Sequence, residues 1–111
     1  MRTPRLSRRL SLEAPTRSPD GAGGFTQGWA ALGTLWAEVA PAAPRLATQP
    51  GATETRLPLR ITVRGAPFGS PSRPEAGQRF RDGSRVFPIS SVAEDAGGRF
   101  LLCLAHEEAA L

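Results

Sequence analysis

The sequence has no lysine and no tyrosine, and it holds one cysteine and one histidine. A lone cysteine excludes an internal disulfide, so the fold must hold without covalent staples, as suits synthesis in a reducing bacterial cytoplasm. One Cys and one His also fall short of the ligand set of a structural zinc site. No apolar run reaches the length of a transmembrane helix, and no membrane partner is expected. The N-terminal stretch, residues 1–14, lacks the apolar core of a signal peptide. It is rich in Arg and Ser like a transit peptide, but it alternates like a strand. Helical periodicity is weak throughout, and a short tail, Ala105–Leu111, is the one helix candidate.

What is present is short-period apolar patterning among many breakers. Gly 12 and Pro 11 make up about a fifth of the 111 residues, which suits short strands joined by loops within one domain spanning 1–111. Leu10 and Leu12 alternate with Ser11 and Glu13 as a first strand. Leu35, Ala37 and Val39 alternate with Trp36 and Glu38. Leu57, Leu59, Ile61 and Val63 are interleaved with Arg56, Arg60 and Arg64, which places aliphatics on one face and arginines on the other. Gln78–Arg81 and Arg85–Val92 flank Asp82-Gly83, a hairpin signal, and a parity break predicts a bulge near Pro88–Ser91. After the turn Glu94–Gly98, Phe100–Ala105 is apolar on both parities, as a strand covered on both sides would be, and Ile61 and Leu102 are expected in the core. These six strands, in meander-like order, predict a mainly β fold, a small antiparallel β-barrel or sandwich.

Three loops separate them: a Gly-rich one over residues 16–28, and two long ones over 41–54 and 65–77. Loops of that length in so small a body are functional or disordered as a rule. The basic excess is local. Residues 1–20 carry five Arg against Glu13 and Asp20, whereas the rest carries nine Arg against eight acids. A flexible arm, residues 1–9 with Arg2, Arg5, Arg8 and Arg9, is therefore an expected assembly contact. With no Lys or Tyr to titrate, the sequence pI of 11.2 overstates a net charge of +4.

No grouping of residues supplies a nucleophile, a base and an oxyanion donor, so neither catalysis nor a cofactor is expected. His106 reads as surface and Cys103 as core packing. The Gly-rich stretch lacks the Gly-Lys-Ser/Thr ending of a phosphate loop. Trp36 shares parity with Glu38, opposite the aliphatics, so Trp36, and with it Trp29, is a candidate interface residue.

The order of several short stretches carries a resemblance. Asp20-Gly21-Ala22-Gly23-Gly24 precedes Gln27-Gly28-Trp29 and Thr34-Leu35-Trp36-Ala37-Glu38-Val39, and Asp82-Gly83-Ser84-Arg85-Val86-Phe87-Pro88-Ile89 leads to the closing Arg99–Glu107 run. This order resembles the head–tail joining (head closure, or stopper) proteins of long-tailed phages and phage-derived gene transfer particles. The resemblance implies a homo-oligomeric ring with portal and adaptor proteins on one side and tail proteins, including a tail terminator, on the other. Packaged DNA would fill its channel. It also implies a stopper loop, here Pro41-Ala42-Ala43-Pro44-Arg45-Leu46-Ala47-Thr48-Gln49-Pro50-Gly51-Ala52-Thr53-Glu54, whose single basic residue disfavours strong phosphate binding. Two alternatives stand beside it: a single-stranded nucleic-acid-binding barrel using Arg56, Arg60, Arg64 and Arg79, and a tail-completion protein of the same connector on a mixed α/β fold.

Overall fold

The computed structural model of the protein describes residues 3–42 and 57–108. Six strands are present: β1 (Arg8–Pro19), β2 (Phe25–Pro41), β3 (Pro58–Arg64), β4 (Arg79–Asp82), β5 (Arg85–Glu94) and β6 (Phe100–His106). All pairings are antiparallel, and the sheet closes into a barrel in the order β1-β2-β3-β6-β5-β4. This is not the meander expected from strand spacing. The 65–78 connection crosses one mouth of the barrel, so β3 pairs with β6 and β4 closes on β1 through Ser11↔Arg81 and Glu13↔Arg79.

The core follows strand parity. Leu10, Leu12, Ala37, Leu59, Ile61, Val63, Phe80, Phe87, Ile89, Leu101, Cys103 and Ala105 are buried inside, and each large aliphatic or Phe contributes about 1.5–3 kcal/mol. Leu57 precedes β3 and is exposed. The bulge falls where parity breaks, between Ile89 and Ser91, and returns Val92 to the inner side.

Three expectations are corrected here. Strand β6 is buried on one face only: Leu101, Cys103 and Ala105 point inward, whereas Leu102 is half-buried and Leu104 exposed on the outer face. Leu102 is therefore not a core residue. The helical tail is absent within the described residues, because β6 runs through His106 and Glu108 continues as a bridge, its N–H donating to the Val86 carbonyl at 2.9 Å. The Gly-rich loop over 16–28 shrinks to residues 20–24, since β1 and β2 continue as a paired ribbon to Pro19↔Phe25.

Strand directions alternate around a closed antiparallel sheet, so connections alternate between its two ends. The ribbon tip (20–24), the 65–78 connection and the 95–99 turn lie at one end. The end of β2, the start of β3 and the Gly83-Ser84 turn lie at the other.

Candidate assembly surfaces

Beyond Glu13 and Ala31, β1 and β2 pair only with each other, over six rungs from Ala14↔Ala30 to Pro19↔Phe25. At roughly 3.3 Å per residue, this ribbon projects about 20 Å from the barrel. Its tip is built by Asp20, whose carboxylate accepts the N–H groups of Ala22 (2.8 Å) and Gly24 (3.0 Å). Those two bonds hold the Asp20 carboxyl below its usual range. Gly21 and Gly23 supply the positive φ values the turn requires (83° and 86°).

Directly paired residues share a face, so one ribbon face collects Phe25, Pro19, Arg17, Gln27, Trp29 and Pro15. Phe25 and Trp29 are 58% and 43% exposed. Arg17 stacks on Phe25 at 4.3 Å and Arg79 on Trp29 at 4.0 Å. Arg79 is fixed in turn by half-buried Glu13, its Nε donating at 2.6 Å.

A second surface lies on the outer side of β2, β3 and β6. The pairings Arg9↔Trp36, Arg64↔Phe100 and Arg60↔Leu104 interleave three arginines with Trp36 (57% exposed), half-buried Phe100 and exposed Leu104. Among the described residues none of Arg9, Arg60 and Arg64 reaches a carboxylate. Residues 3–7 turn back over β2, with the Arg5 N–H donating to Glu38 at 2.9 Å. Between this segment, Trp36 and the start of the 65–78 connection lies a groove of about 550 Å³ lined by Leu6, Leu35, Arg64 and Ala66.

The residues singled out in the sequence do not form one site. Trp36 and Trp29 lie on different outward surfaces, Trp36 beside Arg9. Arg8 and Arg9 belong to β1 rather than to a flexible arm, and Arg2 lies outside the described residues. Arg8 shares parity with Leu10 and Leu12, so it points into the barrel mouth, where it pairs with Asp82 at 2.9 Å and stands 5.8 Å from the Phe87 ring. Of the expected stopper loop, Pro41 ends β2 and Ala42 donates its N–H to the Pro58 carbonyl at 2.9 Å. The rest of it, 43–54, lies outside the described residues.

Nothing in the sequence marks how the 65–78 connection is pinned. Arg73 is buried, donates to the Ala66 carbonyl at 2.8 Å, reaches Glu94 at 3.4 Å and stacks 3.7 Å from Phe68. Buried Pro74 packs beside it in the chain. Burial pushes the Cys103 thiol up to about 12, which makes it a packing group that resists ionisation.

The architecture defines a small closed β-barrel whose distinguishing surfaces are suited to contact. The chain matches the family of phage head completion proteins over residues 1–108, and it belongs to that family. It is similar to a chain in the virion of a native gene transfer agent particle, with 44% identity, a TM-score of 0.79, and coverage of 98% of this chain and 100% of that one. It is also similar to the solution structure of protein SF1141 from Shigella flexneri 2a, with 25% identity, a TM-score of 0.74 and 98% of each chain covered. No curated protein matches it.

Proposed function

We propose that this protein is a non-catalytic connector that forms a closed ring of identical subunits between the portal and adaptor of a DNA-filled head and the tail. In this reading the ring closes the DNA exit with the segment 41–54 and offers the tail a docking surface. The observation that carries the reading is the full-length kinship: the family match over 1–108, together with 44% identity to a chain of a gene transfer agent virion. The fold supports it. Rings use different patches of one subunit against its neighbours, and this barrel separates its surfaces between a ribbon, an Arg–Trp face and two ends.

The gate has a concrete test. Replacing residues 43–56 by a four-residue Gly-Ser turn should leave the barrel folded, because loop length costs little free energy (about 0.6 kcal/mol per doubling). Particles made with the shortened chain should lose packaged DNA before tails attach. Full DNA retention in tailless heads would reject the segment as the gate.

A second reading is favoured by one observation, the unpaired Arg9, Arg60 and Arg64 beside exposed Trp36, which suits contact with nucleic acid. A gel shift with single-stranded DNA at physiological salt tests it, and absence of binding removes it. The tail-completion alternative called for a mixed α/β fold, whereas the described residues contain strands and no helix.

A further inference from the structure

We propose that the outer face of the β1–β2 ribbon docks on a different protein, one presenting carboxylates beside an apolar patch. The inference rests on the connector reading above and deepens it by naming the surface and the chemistry of its partner.

An isolated two-stranded ribbon is marginal in water, yet this one keeps two large aromatics on a single face. Both rings are already oriented. Arg17 lies over Phe25 and Arg79 over Trp29, and Arg79 is held by Glu13. Such pre-ordered aromatic and Arg groups are the residue types that dominate protein interfaces, because little side-chain freedom is lost when they bind. Arg17 has no carboxylate partner among the described residues, so its charge is available to a partner.

Charge selects among possible occupants. A second copy offers only dispersed acid among the described residues: Glu13, Asp82, Glu94 and Glu107 are engaged by the chain's own arginines, and Glu75, Asp95 and Glu108 are spread between the two ends of the barrel. The Arg9–Arg60–Arg64 face of another copy would repel Arg17. Nucleic acid fits poorly for a separate reason. The Asp20 carboxylate at the tip is held ionised by two backbone N–H groups, and the ring faces are occupied by guanidinium groups rather than open to bases. An acidic and apolar protein surface satisfies Arg17 and covers both rings.

The test places a photo-crosslinking amino acid at Gln27, on the same face as Phe25 and Trp29, in the full-length chain assembled into particles. The expected result is an adduct to another structural protein, at a peptide where Asp or Glu flanks apolar residues. An adduct to a second copy, an adduct to DNA, or no adduct in particles that contain the chain would overturn the proposal while leaving the connector reading intact. Absence of the chain from particles would overturn both. In variants with unchanged melting, Arg17→Glu should reduce adduct yield about tenfold, equivalent to about 1.4 kcal/mol, and Arg17→Lys should retain most of it. Equal yields in all three proteins would also overturn it.

Discussion

Cys103 titrates alone in the alkaline range. The chain has neither Lys nor Tyr, and the buried thiol is raised from 9.0 to about 12. Above pH 9 the unfolded chain loses this proton while the folded chain keeps it, so the unfolded state binds fewer protons and stability falls as pH rises. The slope should approach about 1.4 kcal/mol per pH unit between pH 9 and 12. Urea titrations across that window measure it, and Cys103→Ala should flatten the curve whatever its effect at pH 7. Ile61 and Leu102 provide a second contrast, since period-two patterning identifies inward residues only where one parity is polar. Ile61 alternates with Arg60 and Thr62 and was legible. Leu102 sits in a run apolar on both parities, so the sequence could not say which parity faces in. Ile61→Asp should therefore unfold the protein, burying an unpaired carboxylate at a cost of several kcal/mol against a total of about 5–15. Leu102→Asp should keep a cooperative melt near that of the wild type.

Among the elements, the ribbon was the least legible. Both of its faces meet solvent, so no alternation marks it, and Gly28, Pro15 and Pro19 read as breakers although their pairing is regular. Its backbone bonds lack neighbouring strands. Amide hydrogens over 14–19 and 25–31 should exchange far faster than those of β3 and β6, a difference visible by exchange-resolved NMR. The Asp82-Gly83 signal marks the hairpin, whose two central residues are Gly83 and Ser84. Asp82 pairs with Arg85, and Gly83 takes the first central position with φ of 62°, the arrangement of a type II′ turn. A third glycine acts through space rather than φ. A Cβ on Gly65 would stand 2.5 Å from the Gly98 carbonyl oxygen and 3.1 Å from that of Arg99. Gly65→Ala must push β3 away from the 95–99 turn, and a loss of about 1–3 kcal/mol in denaturant titration is expected.

For the whole molecule, strand number and the mainly β class could be read from the sequence, which left barrel or sandwich open, whereas strand order could not. Spacing favours neighbours in sequence, but what joins β3 to β6 is a crossing segment whose anchor, buried Arg73, looks from the sequence like any other loop arginine. Arg73→Ala should loosen that crossing and lower stability by about 1–3 kcal/mol, since the Ala66 carbonyl loses its partner and Phe68 its stacked cation. Closure and crossing add two pairings between strands distant in sequence, β1 with β4 and β3 with β6, so refolding should run on the millisecond-to-second scale typical of such barrels, as stopped-flow fluorescence of the two tryptophans would record.

The unlike connections at its two ends give the subunit a head and a foot. The ribbon tip and the 65–78 crossing belong to one pole, and the Gly83-Ser84 turn with the end of β2 and the start of β3 to the other. Copies related by a single rotation axis all share one heading, so a ring built from them has two unlike rims and can be threaded into a stack in only one sense. Because the native thiol is buried, a cysteine placed at Ala22 or at Ser84 becomes a unique address on one rim or the other. Heavy-atom clusters attached there would show in particle images which rim faces the genome. In the proposed ring, the barrel's unlike ends thereby act as a compass for the particle.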